Sequence, residues 1–294
     1  MSDRTVVEAG PGAEPRANGR GILIAVMAFA VFSGTDALVK VLATGVSAPQ
    51  VTFMVTLIAL VALIAYAAAT GQLRLLLPRH PRLAFLRALF LAADTILIHY
   101  AFSVLPLADA YLLAFLTPLL VALMGFVLLG ERLSALAWIG VVVGFVGVAV
   151  ALKPGLVVLN LGHLAALASA VFFALSLILL RRTKAQESDM ALVASLLLVL
   201  TPVALAVAMT TGKVVPIDLT QMGLVILAGL LLLGGHALLV RAFRVGEASV
   251  VSASQYSQII WGCVYGFVLF AAPIELHTLL GAAMIAVSGW LVLQ

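Results

Sequence analysis

The chain has 294 residues, of which 64% are hydrophobic and only 10% charged, and its formal net charge is +4. Soluble domains are about half apolar and a quarter charged, so this composition excludes an ordinary water-soluble fold. The mean hydropathy of +1.25 agrees. No basic run is interleaved with aromatics, which argues against a nucleic-acid partner. The sequence therefore predicts an all-α integral membrane protein.

Ten apolar segments follow a polar tail. Residues 1–19 are polar and lack periodicity, so we expect a disordered tail. Each later segment is long enough to cross a bilayer as a helix. Between them lie proline, glycine and charged residues in short loops, which leave no room for a soluble domain. The predicted spans are 21–43, 50–70, 83–104, 108–129, 133–152, 161–181, 190–211, 219–241, 248–270 and 276–293.

The basic residues predict the orientation of these spans. With the N-terminus in the cytoplasm, thirteen of the sixteen Lys and Arg residues fall on cytoplasmic ends and loops. Only Lys40, Lys153 and Lys213 fall on the opposite side. Short cytoplasmic loops of membrane proteins are enriched in Lys and Arg. We therefore expect both termini to be cytoplasmic.

An internal repeat appears when the chain is shifted by 141 residues. Phe32 then aligns with Phe173 and Lys40 with Arg181, and the span edges recur at the same offset. Five spans per repeat force the two halves into opposite orientations, as in many secondary transporters with a central site. We expect a first repeat at 20–152, a linker at 153–160 and a second repeat at 161–294.

Four stretches of the first half carry a family resemblance. They are PLADA at 106–110, FLTPLL at 115–120, LLGERLS at 128–134 and GVVVGFVGVAV at 140–150. Together with the repeat, they resemble the EamA-type exporters of the drug/metabolite transporter superfamily, and within these the YddG-type exporters of amino acids. The resemblance implies alternating access in a bacterial inner membrane, without a cofactor. It also implies export of small amphipathic metabolites, with aromatic and other neutral amino acids first.

The ninth span carries the richest polar stripe. Gln255, Gln258, Trp261 and Tyr265 are spaced three, three and four residues apart, so they share one helix face. Polar groups inside a membrane need partners, so this face should meet a cavity or other helices. We assign the stripe to substrate binding; contacts that join helices are the alternative.

The fourth and first spans supply the facing candidates. At an offset of 140 residues Tyr111, Phe115 and Pro118 align with Val251, Gln255 and Gln258, and the proline is expected to kink its helix. The substrate-binding candidates from the first span and its repeat mate are Phe32, Ser33, Asp36, Phe173 and Ser176. Core packing is the alternative for the phenylalanines.

Charged and titratable groups suggest two further roles. Asp36 and Lys40 are four residues apart, with the acid first, which favours a charge pair. We expect that pair to act as an outer gate, or else simply to neutralise a snorkelling lysine. His99 and His236 are candidates for substrate binding and a proton relay, because histidine titrates near neutral pH.

The sequence argues against an intramembrane enzyme. It contains no H-E-x-x-H or G-x-S-x-G motif, no P-loop and no clustered carboxylates, so neither catalysis, a metal nor ATP use is expected. The lack of paired deep basic residues also argues against phosphorylated substrates. Cationic drugs or nucleobase-like metabolites remain the alternative cargo. We expect a monomer or weak dimer with a small-molecule substrate and the bilayer as partners.

Overall fold

The computed structural model describes residues 14–129, 134–152, 159–183, 187–211, 214–245, 254–273 and 276–292. Over these residues the fold is entirely helical and contains no strands. The helices are α1 (Glu14–Leu42), α2 (Ala48–Ala69), α3 (Pro81–Val104), α4 (Leu107–Ala114), α5 (Thr117–Leu129), α6 (Ala135–Leu152), α7 (Leu161–Thr183), α8 (Asp189–Thr210), α9 (Leu219–Val245), α10 (Ser257–Phe270) and α11 (Leu276–Val292).

Seven helical stretches in the described residues are long and apolar enough to cross a membrane, and one of them joins α4 to α5. Parts of α6 and α11 form shorter apolar helices. Large apolar side chains are exposed on the outside of the bundle, including Leu23, Val61, Leu164, Leu198 and Trp290. Lipid solvates such surfaces, so the protein is a multi-pass membrane protein.

The first helix begins earlier than the sequence predicts. The expected tail covers residues 1–19, but α1 starts at Glu14. An acidic residue followed by proline suits the first turn of a helix. The amide hydrogen that proline lacks would have no partner in that turn, and a negative charge interacts favourably with the positive end of the helix dipole. The first thirteen residues, and residues 153–158 of the expected linker, lie outside the described residues.

The fourth predicted span is two helices rather than one. α4 ends at Ala114 and α5 begins at Thr117, directly before Pro118. Proline has no amide hydrogen to donate to the carbonyl of Ala114, four residues earlier. The hydroxyl of Thr117 donates to that carbonyl instead, over 2.7 Å. The sequence correctly places a break at this proline, and a threonine hydroxyl satisfies the exposed backbone group.

The ninth predicted span has a related irregularity. A short 3-10 helix at Ser254–Tyr256 precedes α10, and it packs against α1. Gln255 therefore lies in this turn, whereas Gln258, Trp261 and Tyr265 lie in α10. The predicted stripe thus begins outside the regular helix. Residues 248–253 of that span lie outside the described residues.

Helix packing joins the two halves of the chain. α1 packs along α9, α3 along α7, α2 against α8 and α9, and α6 along α11. We call the end of the bundle where α1 and α3 begin the terminal end, and the opposite end the far end. At the terminal end Glu187 accepts bonds from the backbone amides of Arg79 and His80, over 2.8 and 2.6 Å. At the far end Gln50 exchanges two bonds with the backbone of Val215.

Candidate functional site

Two carboxyl groups lie inside the bundle, on α1 and α3. The hydroxyl of Tyr111 donates a 2.6 Å hydrogen bond to Asp36, and the hydroxyl of Ser169 donates a 2.5 Å bond to Asp94. The two carboxyl groups are close enough to interact electrostatically. Each is therefore held by a hydroxyl from a different helix, and α7 of the second half supplies one of the two donors.

Helix α10 closes this site from the second half of the chain. The ring of Tyr111 packs so tightly on Gly262 that a Cβ there would lie 2.6 Å from it. The hydroxyl of Tyr265 lies 3.4 Å from the position of a Cβ on Gly34 and donates weakly to the carbonyl of Ala30. Glycine at position 262 permits the close approach of the Tyr111 ring. We define the central polar cluster as Ser33, Asp36, Asp94, Tyr111, Ser169 and Tyr265.

Several buried polar atoms have no hydrogen-bond partner among the described residues. Ser33 lies near the Tyr111 hydroxyl without the geometry of a hydrogen bond. The indole nitrogen of Trp261 and the hydroxyls of Ser176, Tyr256 and Ser257 share this property. Buried polar groups in proteins are almost always paired. The unpaired Ser33 therefore marks the central polar cluster as a place where a polar ligand can bind.

Aromatic rings form the walls around these groups. Phe115 packs parallel to Tyr111, with ring centres 6.3 Å apart, and edge-on to Tyr256 at 5.5 Å. Phe32 meets the ring of His236 edge-on at 4.9 Å. Such walls supply apolar surface together with a few oriented polar groups, which is typical of small-molecule sites.

The predicted charge pair makes different contacts in this conformation. Lys40 donates to the carbonyls of Phe102 and Leu105, over 2.9 and 2.6 Å, and its ammonium lies 5.4 Å from the ring centre of Phe270. Asp36 bonds to Tyr111 instead. Tertiary partners thus replace the pairing expected from the spacing in α1. Lys40 joins the far ends of α1, α3 and α10.

A separate cavity opens at the far end of the bundle. Its volume is about 100 Å³, and Asp109, His277 and Thr278 contribute its polar groups. Thr278 donates a long 3.4 Å bond to Asp109. The other lining residues are Pro106, Leu107, Ala108, Gly262, Cys263, Gly266, Ala272 and Pro273.

Comparison with known proteins decides the family. The sequence profile of the EamA-like transporter family matches residues 19–153 and again 160–294. The chain belongs to the EamA-like transporter family. This family lies in the drug/metabolite transporter superfamily, and its members are transporters rather than enzymes.

Relatives of this EamA-like transporter carry different cargo. The pseudopaline exporter CntI of Pseudomonas aeruginosa is 30% identical over 91% of this chain and 94% of its own. The S-adenosylmethionine uptake transporter of Rickettsia prowazekii is 25% identical over 90% and 89%. The riboflavin transporter of Vibrio cholerae is 25% identical over 62% and 61%. A solved crystal structure with a TM-score of 0.66 and 22% identity covers 93% of this chain and 96% of its own, which shows the fold alone.

The structure brings some of the predicted residues of this transporter together. Ser33, Asp36, Tyr111 and Tyr265 meet in the central polar cluster, with Phe115 beside it. Gln255 and Gln258 are partly buried, as is Trp261.

Other predicted residues lie apart from the cluster. His99 is buried against α2, where its Nδ1 is 2.8 Å from the Thr52 hydroxyl. Phe173 packs in an apolar cluster with Leu91 and Leu200. The side chain of Pro118 lies outside the described part of the structure. The proton relay through His99 and His236 stays a prediction.

Three residues of the site were not among the predicted ones. Asp94 and Ser169 pair across α3 and α7, and Arg87 lies two turns before Asp94 on α3. As a charged residue inside an apolar span, Asp94 is expected from the sequence to face the interior or an interfacial water, and it faces α7 in the interior. Arg87 was counted among the basic residues that orient the spans, and its position in the bundle was not predicted.

Proposed function

We propose that the protein exports small metabolites that carry an amino group, with amino acids as the first candidates. The observation that carries this proposal is the pair of carboxyl groups, Asp36 and Asp94, held inside the bundle by hydroxyls. A carboxylate bound in this way can replace the water around an ammonium group. The ring of Phe115, which packs on Tyr111, and that of Tyr256, which packs on Phe115, support a contact with the apolar part of such a solute.

The transport mechanism that we propose is alternating access between the two matched regions. The two family matches support ten spans arranged as inverted repeats, with residues 20–152 and 161–294 as the two units. The central polar cluster takes Asp36, Asp94 and Tyr111 from the first unit and Ser169 and Tyr265 from the second. Rocking of one unit against the other would expose such a site to each side in turn.

We also propose cytoplasmic termini and a bacterial inner membrane, acting as a monomer or weak dimer. The distribution of basic residues supports the orientation. A fluorescent protein fused to the C-terminus should fold and fluoresce, whereas alkaline phosphatase at the same place should stay inactive. The opposite pair of results would reverse the proposed orientation.

A second candidate function is the export of cationic drugs. The carboxyl pair favours it, because two acidic groups in a low-dielectric interior attract any cation with an apolar body. Amino acids and simple organic cations differ in one group, the carboxylate, so the two functions can be separated by transport assays.

The test is counterflow in proteoliposomes with labelled amino acids and organic cations, with and without a pH gradient. Saturable amino-acid flux that falls in Gln258→Ala and Trp261→Ala supports the first function and places α10 at the site. Flux of cations alone supports the second function. Absence of flux for every solute of the panel contradicts both.

A further inference from the structure

An arginine without a partner among the described residues lies in the membrane-spanning part of α3. Arg87 is six residues into the helix, about 9 Å from its first residue along the axis. Among the described residues it makes no hydrogen bond or ion pair, and its Nε atom is buried. An arginine that snorkels to the interface exposes its nitrogens to water, and this Nε does not. An unpaired guanidinium inside a span is costly and marks a functional site.

The antiparallel packing of α3 and α7 supplies a second unpaired group at the same level. Asp94 bonds to Ser169, and one turn nearer the terminal end the rings of Phe90 and Phe172 lie 6.2 Å apart. Continuing this register by one more turn places Ser176 level with Arg87. Ser176 is fully buried, and its hydroxyl has no hydrogen-bond partner among the described residues.

Helix α9 brings a third polar group to this place. His236 interacts electrostatically with Arg87. Its Nδ1 lies 2.9 Å from the carbonyl of Leu232, so that nitrogen carries the hydrogen and donates, and the unprotonated Nε2 can only accept a hydrogen bond. The ring of Phe32 packs against the same histidine and against Gly235. In this form the imidazole cannot donate to a carboxylate, so Arg87 and Ser176 are the donors at this level.

Carboxylate is the ligand chemistry that fits these groups best. A guanidinium binds a carboxylate through two parallel hydrogen bonds, and a nearby hydroxyl can donate a third. Among the described residues Arg87 supplies one positive charge here, which suits the single negative charge of a carboxylate better than a phosphate.

The spacing along α3 gives the length of the solute. Arg87 and Asp94 are seven residues apart, hence on the same face and about 10 Å apart along the axis. An α-amino acid separates its amine from its carboxylate by one carbon and cannot reach both. We propose that Arg87 and Ser176 form a carboxylate subsite, so that the preferred solute carries an amine and a carboxylate at opposite ends of a chain of several carbons. This inference rests on the proposed function, which places the amine at Asp36 and Asp94.

The test uses three amino acids of increasing length with matched neutral partners. Purified protein is titrated with 4-aminobutanoate, 6-aminohexanoate and 8-aminooctanoate, and with the amide of each acid, and binding is followed by calorimetry. The amides keep the amine and remove only the negative charge. We expect the wild type to bind the two longer acids roughly tenfold more tightly than their amides.

The variants separate the subsite from general effects. In Arg87→Gln the preference for acid over amide should disappear, and Arg87→Lys should restore part of it, because lysine keeps the charge without the planar fork. Arg82→Gln, which changes an exposed arginine on the same helix, should keep the full preference.

Three results would overturn the subsite. The first is equal affinity of the wild type for acids and amides, and the second is no binding of any acid in the series. The third is an Arg87→Gln protein that keeps the preference for acid over amide. Counterflow of amines by the same preparations reports on the proposed function separately, since amine transport without a carboxylate preference leaves that function intact.

Discussion

The two halves of the contact between α3 and α7 differ in how their polar groups are paired. Toward the far end, Asp94 accepts a 2.5 Å hydrogen bond from Ser169. Toward the terminal end, Arg87 and Ser176 occupy the same register, and neither has a hydrogen-bond partner among the described residues. The same pair of helices therefore carries one satisfied polar pair and one unsatisfied pair, two turns apart.

This difference shows two ways in which a membrane protein prepares polar groups for a ligand. In the satisfied pair the hydrogen bond joins the helices and orients the carboxyl group of Asp94, because a hydrogen bond within an apolar medium has no competing water. The unsatisfied pair keeps its bonding capacity for a ligand, at a cost in stability. Variants of the carboxyl groups and of the two serines test that comparison.

The largest effect is expected at the carboxyl groups. Asp94→Asn and Asp36→Asn should each lower the initial rate of counterflow by about 100-fold, because the amide cannot neutralise the ammonium of the solute. Asp218→Asn is the matched control. Asp218 is exposed and caps α9 through the amide of Gln221, and asparagine caps equally well. Counterflow within twofold of wild type in both Asp36→Asn and Asp94→Asn would remove the carboxyl groups from the site.

The two serines of α7 should respond in opposite ways. Ser169→Ala removes a donor to a carboxyl group and should lower the free energy of unfolding by about 2 kcal/mol. Ser176→Ala removes an unbonded hydroxyl, so it should leave stability unchanged and weaken binding of 6-aminohexanoate severalfold. Thermal unfolding in detergent and calorimetry measure the two effects. Equal destabilisation by both changes would show that the hydroxyls play the same structural role.

A smaller effect is expected where Glu187 fastens the terminal end of α3. Burial raises the pKa of Glu187, but the amides of Arg79 and His80 and the side chain of His80 lower it, and the net pKa lies below its ordinary value. A lowered pKa in the folded state stabilises the protein at pH values above the pKa of an unfolded glutamate, about 4.3. This stabilisation is lost as the pH falls through the folded-state pKa.

Glu187→Gln should therefore lower stability at pH 7 by about 1 kcal/mol, since the neutral amide still accepts one backbone bond. The difference from wild type should shrink between pH 5 and pH 3, where wild-type Glu187 becomes protonated. Melting temperatures measured across that range provide the test. A difference that stays constant down to pH 3 would show that the charge of Glu187 contributes nothing.

The sequence predicted those features that depend on local chemistry. Apolar length predicted a helical membrane protein, and seven helical stretches in the described residues are long enough to cross a membrane. The kink predicted at Pro118 lies where α4 gives way to α5, because proline acts on the backbone four residues earlier. The resemblance in the first half led to the correct family. Tyr111 was also assigned to the site, where it bonds to Asp36.

Features that depend on the register between distant helices were not predicted. Spacing within α1 suggested that Asp36 pairs with Lys40. Instead, Lys40 donates to backbone carbonyls at the end of α3, and Asp36 accepts from the hydroxyl of Tyr111 on α4. The bond between Asp94 and Ser169 joins residues 75 positions apart, and no periodicity along either helix indicates it. From the sequence Arg87 resembled an interfacial arginine. Its distance from the helix end does not reveal whether its side chain faces lipid or the neighbouring helices.

The most direct test of the central claim is an experimental structure of the protein with a transported amine bound. We predict density for the solute between α1, α3 and α10, with its amine in contact with Asp36 or Asp94 and its apolar part against Phe115 or Trp261. A solute bound instead in the far-end cavity of Asp109, His277 and Thr278, without contact to Asp36 or Asp94, would contradict the account.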